Sequence, residues 1–188
     1  MFRPVMTKKD HQLFNAIWDS VARESRFKTT EATGNEQRFL LLDESGRELG
    51  TAEFARYTPY GHSLLRGYKS YDEHPKLRSL KGNVFEIAKL GIQKGMRNKG
   101  YFKHMMVLMN HLATTQKVDY FVAVVDSKLV RMVERVGIKM DVFDELIETD
   151  HFTLYPVILN VRKLRKNPFI RFVLYRLNKR TIETAKKA

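Results

Sequence analysis

The chain has 188 residues, 43% of them apolar and 11% aromatic, enough for one medium domain with its own core. It has no cysteine, which excludes disulfides, thiolate nucleophiles and cysteine-built zinc or iron–sulfur sites. The net charge of +13 is uneven: residues 162–188 hold ten Lys/Arg against one acid, Glu183, a basic tail that suits an acidic partner or serves as a solubilising segment. The N-terminus has no continuous apolar stretch of the secretory kind, and no apolar run nears the ~18 residues of a membrane span, so a cytoplasmic setting is expected.

Phe2 to Met6 reads as a short strand. Thr7 with Asp10 three residues on forms a helix-capping pair, and Leu13, Phe14, Ile17, Trp18 and Val21 recur at helical spacing, predicting a helix to about Ser25. Lys28 to Glu36 is polar and reads as a loop or a second, weak helical turn. Arg38–Asp43 and Glu48–Tyr57 flank a Glu44-Ser45-Gly46 turn and predict a hairpin. Thr58 to Gly82 carries Pro59, Gly61, Gly67 and Pro75 among tyrosines and histidines. So long an irregular stretch is either a surface excursion or the acceptor side of a site.

Asn83 to Lys103 carries most of the functional signal. It begins as an apolar strand over Val84–Ile92, breaks at Gly95, passes through the basic turn Arg97-Asn98-Lys99-Gly100 and enters an apolar-periodic helix. A basic glycine turn feeding a helix start builds an anion site from free N–H groups and the helix dipole. The bland alternative for Arg97, Lys99 and Lys103 is a solvated loop. In the helix, Phe102, Met105, Met109 and Leu112 share a face. Core packing accounts for this methionine-rich face more simply than a binding wall does.

Val118–Val125 is nearly all apolar and reads as a strand buried on both faces. Asp126 and Ser127 cap a helix with Leu129, Met132, Val133 and Val136 on its buried stripe and Gly137 at its end. Ile138–Phe143 and Phe152–Val161 read as two last strands. Asn167-Pro168 then opens a basic amphipathic helix with Phe169, Ile170, Val173, Leu174 and Leu177 on its apolar sector. A membrane surface, an acidic protein or the domain itself could receive it. The order implies an α/β (α+β) fold: a mixed sheet of six to seven strands, parallel in the middle, helices on both faces, with a domain over 1–161 and a basic tail over 162–188.

Two landmarks give this chain a resemblance. LGIQKGMRNKGYF matches the Arg/Gln-x-x-Gly-x-Gly/Ala motif of the GNAT superfamily of N-acetyltransferase-like acyltransferases through Arg97 and Gly100. Asn98 replaces a frequent Gly, and Phe102 stands where Gly or Ala is usual. Met132-Val133-Glu134-Arg135-Val136-Gly137-Ile138 resembles the family's Tyr-Glu-Lys-x-Gly-Phe signature, with Val133 at the tyrosine. Glu86-Ile87-Ala88-Lys89-Leu90 is also similar to the Glu-Ile-Ser-Arg-Leu-like strand of the acyl-homoserine-lactone and N-acyl amino acid synthase branch.

The resemblance implies a GNAT-like sheet and an acyltransferase moving an acyl group, most simply acetyl, from acetyl-CoA or a longer acyl-CoA to an amine of unspecified identity, without a metal. Donor-binding residues would be Leu90, Gly91 and Ile92 on the strand and Arg97, Asn98, Lys99, Gly100, Tyr101, Phe102 and Lys103 at the turn. An N–H near Leu90 would meet the thioester carbonyl as an oxyanion donor. Glu86, a carboxylate in an apolar strand, is the candidate general base. The alternative is an ion pair with Arg38, Arg56 or Lys89. The usual general acid, a helix tyrosine, is Val133 here, and Tyr101, Tyr120 and Tyr155 are other conceivable donors.

The branch resemblance makes an acyl-carrier-protein donor an alternative, and the basic tail would then meet an acidic carrier protein or an anionic membrane surface. A donor-binding protein without turnover is a second alternative. Nucleic acid is disfavoured, because the tail has few aromatics for base stacking. The oligomeric state is left open.

Overall fold

The computed structural model describes residues 1–27, 34–59, 61, 63–168, 170, 171 and 175. The strands are β1 (Phe2–Pro4), β2 (Gln37–Leu42), β3 (Glu48–Arg56), β4 (Val84–Ile92), β5 (Tyr120–Asp126), β6 (Asp141–Val142), β7 (Ile147–Glu148) and β8 (Thr153–Asn160). The helices are α1 (Lys8–Ser25), α2 (Pro75–Arg78), α3 (Phe102–Thr115), α4 (Ser127–Arg135) and α5 (Val161–Lys166). The strands form one sheet in the order β1-β2-β3-β4-β5-β8-β6, with β7 paired to β8. Among the described residues only β4 and β5 pair in parallel; all other neighbours are antiparallel.

The expected mixed sheet with helices on both faces is present, with eight strands instead of six or seven. The extra strand and the shortened β6 have a local cause. Ile138, expected to start a strand, is used to close α4: its N–H reaches Val133 O at 3.3 Å, Gly137 N–H reaches Glu134 O at 2.8 Å, and the Ile138 side chain is buried. Two-residue strands over 141–142 and 147–148 are what remains. β8 inserts between β5 and β6, so the second strand–helix–strand unit is not adjacent in the sheet.

Strand alternation divides the core. Phe85, Ile87 and Phe121 face α3 and α4, packing with Leu108, Leu112 and Val133. Leu40 faces α1, whose Phe14, Ile17, Trp18 and Val21 form the stripe read from the sequence. Val84 and Val122 face the 58–82 connection through Tyr57, Leu65, Tyr71 and Leu77. That connection carries α2, one turn of helix started by Pro75. α1 begins with the expected reciprocal cap, Asp10 N–H to Thr7 Oγ1 at 3.1 Å and Thr7 N–H to Asp10 Oδ2 at 3.0 Å.

The described part of the basic tail lies on the domain. Arg162 Nε donates to Asp119 Oδ1 at 2.7 Å, Arg165 donates to the Ala113 carbonyl, and Ile170 is buried in the main core. A short helix, α5, precedes the expected start, and a second helical stretch does begin at Pro168, where Asn167 accepts from Ile170 N–H with Oδ1 at 3.3 Å and from Arg171 N–H with its carbonyl at 3.0 Å. Phe169, Val173, Leu174 and Leu177 lie outside the described residues, as do residues 28–33 of the expected polar loop.

Candidate active site

The site starts from one surplus residue in β4. Thr51 of β3 faces Gly91 and Glu53 faces Ala88, so Ala52 between them is opposed by both Lys89 and Leu90. This is a β-bulge. Lys89 takes a left-handed backbone, φ 46°, which a lysine adopts only when held there. It is held at both ends: Thr51 Oγ1 donates to its carbonyl at 2.8 Å, and its Nζ lies 3.0 and 3.1 Å from the two oxygens of Glu53. Arg38 Nε reaches the same carboxylate at 2.6 Å, so a fully buried Glu53 is flanked by two nearly buried cations.

The bulge parts the sheet. β4 and β5 pair from Val84/Tyr120 to Ile87/Ala123 and no further, while β5 stays paired with β8 as far as Asp126. Beyond Ile87, the facing edges of Ala88–Ile92 and Val124–Asp126 diverge. Gln93 N–H bonds Leu49 O at 2.9 Å, so by strand alternation the peptide groups of Ile92 point away from β3, toward the gap. α1 closes one side of the gap tightly: a Cβ at Gly91 would lie 2.6 Å from Val21 Cγ1, so only glycine fits there.

A cavity of about 850 Å³ fills this gap and reaches both faces of the sheet. On the α1 face its walls are Trp18, Val21, Phe27, Leu64, Leu65 and Tyr68. On the other face they are Phe102, Met105, Met106, Met109, Leu129, Met132 and Val133. Six of the eight methionines, Met96 and Met140 included, touch the cavity. The methionine face expected to be core is therefore also a cavity wall, deformable and apolar.

The basic turn stands at the mouth. After one turn of 3₁₀ helix over Lys94–Met96, Asn98 (φ 62°) and Gly100 (φ 77°) both adopt left-handed backbone before α3 starts. The backbone N–H groups of Asn98, Lys99, Gly100, Tyr101 and Phe102 make no hydrogen bond among the described residues, and the space over Gly100 is open. Five free donors in the turn ahead of α3 and at its first residue are the kind of groups from which an anion seat is built. Arg97 is tied into the framework of the turn. Its Nε donates to Ile92 O at 2.8 Å and its Nη2 to Glu24 Oε2 at 3.0 Å, so it braces the turn against β4 and α1. Lys99 is exposed, Lys103 lies 3.4 Å from Glu44, and Phe102 is half-buried in the cavity wall.

Glu86 is fully buried on the 58–82 face. None of Arg38, Arg56 and Lys89 is its partner, and Glu53 takes two of them. Ser63 Oγ donates to Glu86 Oε1 and Leu64 N–H to Oε2, both at 2.6 Å. Burial pushes its carboxyl up to about 6, while the two hydrogen bonds and Arg66 hold the rise back. The structure thus sets Glu86 directly behind the wall residues Leu64 and Leu65, not on the cavity surface. Asp126, the carboxylate on the wall itself, spends Oδ1 on the Leu129 N–H at 2.7 Å to cap α4.

The sequence did not single out Ser63, Leu64, Tyr68, Glu24 or Glu53 as site residues, because each is assigned by a contact distant along the chain. The bulge did leave a trace. Phe85 and Ile87 lie two apart, as do Leu90 and Ile92, yet all four pack on the same core, which needs a three-residue step between the pairs.

No family model matches the chain, and no curated protein matches it in sequence. Solved structures do match in fold. FeeM, an N-acyl amino acid synthase from uncultured soil microbes, superposes with a TM-score of 0.67 at 12% identity, over 92% of this chain and 97% of FeeM. The CoA-dependent acyl-homoserine lactone synthase MesI gives 0.62 at 12% identity, over 90% and 87%. A variant of the spermidine N-acetyltransferase SpeG from Vibrio cholerae gives 0.54 at 13%, over 87% and 96%. The fold is GNAT-like.

Proposed function

We propose that the protein is an N-acyltransferase that moves an acyl group from acyl-CoA to an amine. The observation that carries this is the gap between β4 and β5, with five free N–H groups at its mouth. The gap accepts a long thin amide-bearing arm, and the mouth accepts its pyrophosphate. The amine attacks the thioester carbonyl carbon, the adduct loses a proton to Glu86, and the carbon–sulfur bond breaks. A carboxyl near 6 is close to the poise a base needs at neutral pH. In this role Glu86 gives up one of its bonds to Ser63 or Leu64 for the acceptor.

The walls support two refinements. Six methionines around about 850 Å³ of cavity suit an acyl chain longer than the acetyl group expected from the sequence. With Lys89 paired to Glu53 and Arg97 to Glu24, Lys128, Arg131 and Arg135 against Asp126 still leave the wall cationic, which favours a carboxylate-bearing amine over a polyamine. Of the acceptors named for the neighbours, an amino acid therefore fits better than spermidine. Turnover of acetyl-, octanoyl- and dodecanoyl-CoA with amino acids and with spermidine tests all three statements. Octanoyl or dodecanoyl transfer to an amino acid is expected. Transfer to spermidine alone would reverse the acceptor reading, and no transfer from any donor would remove the enzyme reading. A carrier-protein donor is the second reading, favoured by the exposed row Lys128, Arg131 and Arg135 on one face of α4.

A further inference from the structure

The helix position at which GNAT-like sequences carry a tyrosine is Val133, a buried wall residue with nothing to donate. The cavity holds two phenols, Tyr68 and Tyr101. Tyr101 sits at the anion turn as the residue preceding α3, its ring 5.5 Å from His104, at the end of the gap that receives phosphate. Tyr68 sits on the other wall, and its placement is tied to the base. Leu64 N–H bonds Glu86, and Tyr68 N–H bonds Leu65 O at 3.0 Å, so one tight turn carries both the contact to the carboxylate and the phenol. The Tyr68 hydroxyl has no hydrogen-bond partner among the described residues. Tyr68 is half-buried on the cavity wall, so its unpaired hydroxyl is open to a ligand held there.

Resting on the acyl-transfer reading above, we propose that Tyr68 is a catalytic residue that donates its phenolic hydrogen bond to the sulfur of the leaving thiolate. The bookkeeping is simple. The amine nitrogen bonds the carbonyl carbon and loses its proton to Glu86, and the carbon–sulfur bond breaks with its electron pair on sulfur. Burial pushes the Tyr68 phenol up to about 12, above the range of an ordinary thiol. Tyr68 therefore keeps its proton and stabilises the thiolate by a hydrogen bond. Glu86, which received the amine proton, returns it to sulfur through water, and the products are amide and thiol.

The test is Tyr68→Phe, which removes one oxygen, measured on wild type and variant with an acyl-CoA and with an aryl thioester of the same acyl group. The expected result is a kcat lower by about 10–100-fold with acyl-CoA, while KM for both substrates stays within about two-fold. The deficit shrinks with the aryl thioester, whose thiolate needs less help. A kcat within about two-fold of wild type overturns the proposal, as does an equal deficit with both leaving groups or a loss confined to the acceptor KM. If Tyr68→Phe folds poorly, tetrafluorotyrosine at position 68 preserves the ring and the hydroxyl and ionises nearer neutrality. The alkaline limb of its kcat profile should move to lower pH, and an unmoved limb overturns the proposal. Wild-type turnover with an unimpaired variant would remove only the role of Tyr68. No wild-type turnover with any thioester would remove it together with the acyl-transfer reading.

Discussion

The two walls of the cavity are built in opposite ways. The turn over residues 97–102 is half-exposed to exposed, with five backbone donors unspent and one brace, Arg97 to Glu24 and Ile92. The segment over residues 63–72 is cross-tied: Ser63 and Leu64 to Glu86, Arg66 to Asp72, and the Tyr57 hydroxyl to the carbonyls of Tyr71 and Asp72. The first wall keeps its donors open to solvent. The second spends its polar groups on one another, with Ser63, Leu64, Asp72 and Glu86 buried. Preorganised polar groups away from water act more strongly than the same groups in solvent.

Changes on either wall break or sharpen this contrast. The largest expected effect is from Glu86→Gln. The amide can still accept from Leu64 N–H and donate to Ser63, so the fold and CoA affinity should persist. The kcat should fall by about 10²–10⁴-fold. A variant that stays active would make Glu86 a tie for the wall and not a base. Next is Glu53→Ala, which strands Lys89 and Arg38 with no counter-charge. A loss of about 3–5 kcal/mol in denaturant unfolding is expected. Unchanged stability would mean that the bulge is not held by this ion pair.

A smaller effect comes from Gly100→Asp on the exposed wall. The position is spacious but left-handed, so the strain is about 1 kcal/mol, and the added carboxylate faces the seat for the anion. The melting-temperature rise that CoA gives the wild type should vanish with little change in the free protein. The smallest expected effect concerns pH. Glu86 binds a proton more readily folded than unfolded, because burial lifts its carboxyl from 4.5 to about 6. Its contribution is therefore greatest below about 4.5 and is lost as pH rises through about 6, a change of about 2 kcal/mol. Asp43, held down at about 2 by Ser45 and Arg47 hydrogen bonds against the effect of burial, acts in the opposite sense and loses stability as pH falls. The difference between wild-type and Glu86→Gln stability curves isolates the Glu86 part, and parallel curves would refute it.

The same contrast explains what could be read from the chain. The anion turn is local: Arg97, Asn98 and Gly100 lie within four residues, between a strand and a helix whose periodicities are plain. Glu86 stood out as a carboxylate in an apolar strand, yet its partners were misjudged, because the nearest cations in the sheet serve Glu53 and the true partners lie in a stretch without periodicity. The partners of Arg97 were equally out of view along the sequence. Its guanidinium is committed to Glu24, more than 70 residues earlier. Tyr68 was hidden in the irregular segment flagged as an acceptor side, where nothing along the sequence tells a wall residue from a surface one.

The surplus residue at Lys89 has one more consequence. With Lys89 removed, Ala88 would still face Glu53, Leu90 would face Ala52, and Gly91 would still face Thr51. The ladder would close without a register error, and β4 would be free to zip against β5 to its end. In crystal language the cavity is a dislocation, an extra half-row that keeps two planes from meeting. A single-codon deletion would anneal it, leaving a better sheet and an emptied purpose.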